Sequence, residues 1–217
     1  MQKVIFKIDK QKDIWNIWDK TNHSSQFRTP IIADNIKKLC TGKKLRDCRK
    51  ELANHLSPIY SSGLLEIDRG SVEEGWRKIE KEFFKRMDKL FGKKINESIT
   101  AYQTTLGVCP YNPDENWFMF SFFYSLPYAL STCGHEIMHL YFHKYFWKDT
   151  AQKIGEKKTA DLKEALTVLL NLEFRDLWFS EDKGYSQHKD LRNFISKTWQ
   201  KDKNFPRLLD ACTDYLS

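Results

Sequence analysis

Residues 127–147 read PYALSTCGHEIMHLYFHKYFW. At helical spacing the stretch is apolar nearly all round, through Ala129, Leu130, Cys133, Ile137, Met138, Leu140, Tyr141 and Phe142, so a helix in the middle of the protein is expected. Pro127 suits its first turn, where a backbone N–H has no helical partner to lose. Three ionisable residues interrupt the apolar surface: His135, Glu136 and His139. Residues four apart share one helix face, with Cβ atoms roughly 5–6 Å apart, so two imidazoles can converge on a metal at about 2.0–2.1 Å. Glu136, offset by one residue, lies beside such an ion and can take a proton from water bound there. Unpaired charge in so apolar a helix is costly, which favours a shared purpose for the three.

On the N-terminal side of this helix, residues 117–124 are apolar on both faces and read as a buried strand. Residues 98–106 have strand propensity but carry Thr100, Gln103 and Thr105. Between them, Pro110-Tyr111-Asn112-Pro113-Asp114 is a strong turn signal. A hairpin is expected, with 98–106 as its more exposed strand. An exposed edge of this kind is where an extended peptide adds itself as a further strand.

The first 95 residues are expected to be mainly helical. A short strand at 4–8 precedes a helix from Asp13 with Ile14, Ile17 and Trp18 on one face, and 21–30 is a polar loop. Asp34 is expected to cap a helix burying Ile36 and Leu39, and a further helix at 47–56 ends before Pro58. Ser71 and Glu74 form a capping box that opens a long helix, with Trp76, Ile79, Phe83, Phe84, Met87 and Leu90 inward and Gly92 as its stop. The expected fold is thus α+β, one domain over 1–217. A small antiparallel or mixed sheet packs on the buried helix, with a helical part at about 1–95 and a site-bearing part at about 96–217.

Composition narrows the function classes. With 41% hydrophobic residues and 14% aromatic, the chain can build a sizeable core. The net charge of +7, from 36 basic and 29 acidic residues without long like-charged runs, makes nucleic acid an unlikely partner. The first seven residues hold too short an apolar stretch for a signal peptide, and no stretch reads as a membrane span. Five cysteines without CxxC spacing point to a reducing compartment, and so to the cytoplasm.

The run Gly134-His135-Glu136-Ile137-Met138-His139-Leu140, after a hairpin and before a second helix, resembles the zincin metallopeptidases over about residues 98–179. The resemblance implies that His135 and His139 bind one Zn2+ and that Glu136 is the general base. The gluzincin subgroup takes a third ligand from a glutamate on a following helix. Glu164 fits, with Ala160 and Val168 one turn to either side. Family versions often carry Asn before this glutamate and an acid four residues after it, where this chain has Lys163 and Val168. The usual carboxylate behind the ligands is therefore missing from that place; Asp161 can supply it, or can itself be the ligand. His143 lies eight residues beyond His135, about 12 Å of helical rise, and falls outside the same ion as a helix-end residue or a supporting partner. Tyr185 and His188, in a downstream loop, are the remaining candidates to stabilise an oxyanion, the role Tyr or His commonly fills in this family. Cys109 and Cys133 read as core thiols.

The resemblance implies a zinc-dependent peptidase acting on a peptide or protein held extended along an edge strand. The alternative is a non-catalytic zinc-binding regulatory or interaction protein on the same scaffold. The two separate at Glu136, which only catalysis requires.

Overall fold

The computed structural model describes residues 2–23, 27 and 30–217. β1 (Val4–Ile8) buries Val4 and Phe6, then the chain turns at Asp9, whose carboxylate caps α1 (Lys10–Asn22) by accepting from the N–H groups of Gln11 and Lys12. This cap starts the helix ahead of Asp13, which becomes a buried residue of the first turn. Beyond α1 and His23, the expected 21–30 loop lies largely outside the described residues; only Phe27 and Pro30 of it are described.

Helices α2 (Asp34–Cys40) and α3 (Leu45–Ser61) follow, with Ala33 rather than Asp34 in the cap position; Cys40 is fully buried in α2, and Ile36 and Leu39 pack half-buried beside it. Pro58 lies inside the last turn of α3 instead of beyond its end. The capping box at Ser71 does not start a helix either. α4 (Leu64–Phe91) begins at Gly63, and the Ser71 hydroxyl bonds back to the Ile67 carbonyl within it. Buried Leu65 and Val72 continue the apolar face towards the N-terminus, which is why the helix runs through the box. Gly92 ends it at φ 62, as expected.

The strands β2 (Ile99–Thr104), β3 (Tyr111–Asn112) and β4 (Trp117–Ser121) join β1 in a mixed sheet ordered β1-β2-β4-β3. β1, β2 and β4 are parallel, and only β3 runs antiparallel, against β4. The hairpin expected between 98–106 and 117–124 therefore does not form. The turn expected at 110–114 is shifted, since Tyr111 and Asn112 are β3 and the chain turns at 113–116, where Asn112 Oδ1 accepts from the N–H groups of Asp114 and Glu115. β2 ends because Asp13 captures the chain there, accepting from Thr104 Oγ1 and from both N and Oγ1 of Thr105. The chain then passes beyond β4 and returns through β3. As a result β2 is interior, with Ile99, Ala101, Gln103 and Thr104 buried, and the expected exposed edge at 98–106 is absent. The edges are β1 and β3.

α5 (Leu126–Tyr145) has Pro127 in its first turn and packs against both β4 and α4, within the main core. Trp147 opens a separate helix, α6 (Trp147–Ile154). The second helix expected around Glu164 is followed closely by two more: α7 (Glu156–Leu166), α8 (Val168–Glu173) and α9 (Arg175–Trp178) are separated at Thr167 and Phe174. α10 (Lys189–Lys201) and α11 (Phe205–Leu216) close the fold. Trp76, Phe83 and Met87 of α4 meet Phe118 and Phe120 of β4 and Cys133, Ile137 and Tyr141 of α5 in the main core. A smaller cluster joins Ile14, Ile17, Cys40, Cys48, Leu52 and Leu56 across α1, α2 and α3. Gly134 permits the closest approach. A Cβ there would lie 2.6 Å from the Trp178 ring of α9 and 3.3 Å from Phe83 of α4, so α5 presses on both at the residue before His135. Among the described residues, no helix is long and apolar enough to cross a membrane.

Candidate metal centre

α5 presents His135 and His139 on one face, and α7 crosses it to bring Glu164 opposite them. One ligand atom from each residue lies within 4.8 Å of the others. His135 Nε2 is 3.6 Å from Glu164 Oε2, and His139 Nε2 is 3.3 Å from Glu164 Oε1. Ligand atoms around a tetrahedral zinc at 2.0–2.1 Å stand about 3.3–3.4 Å apart, close to the separations of Glu164 from the two histidines. His139 is 2% exposed, and neither of its ring nitrogens has a hydrogen-bond partner among the described residues. Such an orphaned group costs about 1–3 kcal/mol, which a metal on Nε2 would relieve. Two imidazoles and a carboxylate are a donor set suited to zinc.

The carboxylate that orients the first histidine comes from neither place considered in the sequence. Asp182, in the connection after α9, accepts from His135 Nδ1 at 2.6 Å and thereby turns Nε2 towards Glu164. Asp182 is itself held firmly. Its Oδ1 lies 2.9 Å from Thr167 Oγ1 and 3.0 Å from Arg192 Nη1, while its backbone bonds both ways with the Asn171 amide. The break between α7 and α8 thus has a use, since it frees Thr167 to meet this carboxylate. Gly184, at φ 61, leaves room for the Arg192 guanidinium, which a Cβ would approach to 2.6 Å. Asp161 stands apart and accepts from His188 Nε2 at 2.9 Å.

Lys163 supplies a second surprise. Buried at 6% exposure, its ammonium bonds to Glu164 Oε1 at 2.6 Å and to the Tyr111 hydroxyl of β3 at 2.9 Å. Tyr111 packs its ring on His139 and lies 2.8 Å from His143 Nε2. Burial, reinforced by Lys163, pushes the His143 imidazole down to about 4, so it is neutral and accepts from Tyr111. His143 therefore supports the site from behind and takes no part in the cluster.

Electrostatics sort the acidic groups. Burial would raise Glu164, but His139, His135 and Lys163 hold it far below the usual carboxylate range. Burial would likewise raise Asp182, and His135 and Arg192 hold it down. Glu136 goes the other way, pushed by burial up to about 8 against the pull of His135. A carboxyl so placed exchanges a proton near neutral pH.

The cluster opens into a cleft of about 480 Å³. It is lined by His135 and Glu136 together with a wall of residues 107–109, Tyr124, Tyr128 and residues 180–185. Cys109 is half-buried on this wall, not in the core, whereas Cys133 is a core thiol. Of the two oxyanion candidates, Tyr185 lines the cleft, while His188 is buried at 4% exposure and spends its Nε2 on Asp161.

Asp182, Lys163, Tyr111 and Arg192 were not found from the sequence. Asp182 sits in Glu181-Asp182-Lys183-Gly184, which reads as a solvated loop and carries no signal. Lys163 had one, since its helical neighbours Thr159, Ala160, Leu166 and Thr167 are all uncharged, as for a buried lysine. No family model, curated protein or solved structure matches this chain.

Proposed function

We propose that the protein is a zinc-dependent peptidase of zincin type, gluzincin-like in taking its third ligand from Glu164. The observation that carries this reading is the convergence of His135, His139 and Glu164 beside a cleft lined by His135 and Glu136. His135, His139 and Glu164 would hold Zn2+, which acidifies water and polarises a carbonyl. Glu136 would accept the proton of the attacking water and pass it to the leaving amide nitrogen, a role its place in the cleft next to His135 suits. Asp182 keeps His135 in the tautomer that offers Nε2. With β2 interior, the extended substrate is assigned instead to the wall at 107–110 and the edge strand β3. We place the protein in the cytoplasm, since Cys40, Cys48, Cys133 and Cys212 are buried thiols of the kind a reducing compartment keeps.

The charge of Lys163 on Glu164 favours, to a lesser degree, the second reading of a non-catalytic zinc-binding regulatory or interaction protein, because it draws electron density from a ligand. One experiment separates the two. Metal content is measured by elemental mass spectrometry for the wild type, His139→Ala, Glu164→Ala and Glu136→Gln, alongside hydrolysis of a peptide library. The peptidase reading expects one zinc per chain, lost in the first two variants. It is retained in Glu136→Gln, whose hydrolysis falls by about 10²–10⁴-fold. Zinc without hydrolysis in the wild type would leave the binding protein, and no zinc after reconstitution would remove both.

A further inference from the structure

The side of the cleft at residues 180–185 ends in a pair of aromatic rings. Tyr185 lines the cleft, and the His188 ring stands edge-on to it at 5.8 Å. Asp161 fixes His188 through Nε2. This wall is also rigid at its other end, since Asp182, three residues before Tyr185, is held by His135, Arg192 and Asn171.

The two rings already hold a side chain. Phe27, in the connection between α1 and α2, stacks on Tyr185 with centroids 5.3 Å apart and planes inclined by 29°. Its ring also meets the His188 ring at 5.3 Å and 69°. One parallel and one edge-on neighbour is the arrangement aromatic quadrupoles prefer. Phe27 comes from a region remote in sequence from the wall it sits on, as a side chain of a bound peptide would.

The position fits a substrate subsite. Three residues of chain span at most about 11 Å, so Tyr185 lies within that reach of Asp182, which touches His135. An extended peptide advances about 3.3 Å per residue, so a ring on Tyr185 belongs within about three residues of the bond cleaved over His135 and Glu136.

We propose that Tyr185 and His188 form a subsite for an aromatic side chain of a peptide substrate, and that Phe27 of the chain itself occupies it, so that substrate and Phe27 compete for one place. The assignment rests on the peptidase reading for its substrate. The pairing of rings does not depend on catalysis, and the test uses that independence.

Zinc-loaded wild type, Phe27→Ala, Phe27→Leu and Tyr185→Ala are assayed with quenched fluorescent peptides in which a single Phe steps through an alanine-rich sequence. In parallel, N-acetylphenylalaninamide and N-acetylalaninamide are titrated into each protein and followed by NMR of the aromatic region. An aromatic stack is worth about 0.5–1.5 kcal/mol, or about 2- to 12-fold in binding. Phe27→Ala is therefore expected to lower KM for peptides with Phe at one position by several-fold, and to bind the phenylalanine amide several-fold more tightly than wild type. Phe27→Leu falls between them, Tyr185→Ala loses the preference for Phe over Ala, and the alanine amide binds none of the four. Equal KM values and equal amide binding in wild type and Phe27→Ala would overturn the subsite. Should no peptide be cleaved by any of the four proteins, the peptidase reading falls and the amide titration alone decides the subsite.

Discussion

Two aspartates, both withdrawn from solvent, define two regions of this molecule. Asp13, fully buried where α1 meets the end of β2, accepts from Thr104 Oγ1, Thr105 N and Oγ1, and the Tyr60 hydroxyl. Asp182, with a side chain 9% exposed, faces His135 and Arg192. The first is surrounded by neutral donors, and burial raises its pKa despite them. The second has cations, and its pKa falls. Hydrogen bonds from neutral groups satisfy a carboxylate's lone pairs but leave the cost of its charge largely unmet. Asp13 thus works as a structural clamp. Asp182 is part of a charged assembly whose centre is two histidines and a glutamate. The clamp still serves the site, because Asn16, one turn further along α1, donates to Thr104 Oγ1 and to the Val108 carbonyl of the cleft wall.

The contrast breaks most visibly on removal of the clamp. Asp13→Ala strands three hydroxyl groups and one N–H in the interior, and about 3 kcal/mol of stability should be lost, read from the urea midpoint. Zinc content should stay at one per chain. A variant that loses its metal while remaining folded would show that the two regions are not separate.

Asp182→Asn is the converse. The amide keeps the shape but no longer stabilises the proton on His135 Nδ1 as a carboxylate does. Zinc affinity, measured by competition with a chromophoric chelator, should fall by about 10–100-fold. Unchanged affinity would remove Asp182 from the proposed metal centre.

The smallest effect is a slope. The native pKa of Asp13 lies above the unfolded value near 3.8, so the native state holds the proton more tightly. Its contribution to stability is fully present below that value and is lost as pH rises through the native pKa. Asp13→Asn cannot titrate. The metal-free variant should therefore gain on metal-free wild type as pH climbs from about 3.5 to 7, seen as a growing difference in urea midpoints. Parallel profiles would mean that the neutral donors do meet the charge.

These regions differed in how far they could be read in advance. The candidate ligand pair on α5, His135 and His139, is an i, i+4 relation inside one helix, and apolar neighbours of Glu164 marked a buried carboxylate on another. The turn signal at 110–114 was also local and lay close to the turn that forms at 113–116, but its partner strand was not local. Nothing near Thr104 shows that Asp13 will end β2 there and send the chain around β4. Ser71 and Glu74 mislead for the same reason. A capping pattern competes with the helix on either side of it, and burial of Leu65 and Val72 decided for the helix.

From sequence alone came the α+β class, the buried α5, the face bearing His135, Glu136 and His139, and Glu164 as a candidate third ligand. Each depends on spacing within one element, where the backbone itself sets which side chains meet. The tertiary structure alone decided the parallel pairing of β2 with β4, the support of His135 by Asp182 across 47 residues, and the contact of Lys163 with Tyr111 across 52. Such partners are chosen when packing brings distant elements together and buried charges must find what is nearest. No local pattern encodes that choice, because its energy resides in the space between elements.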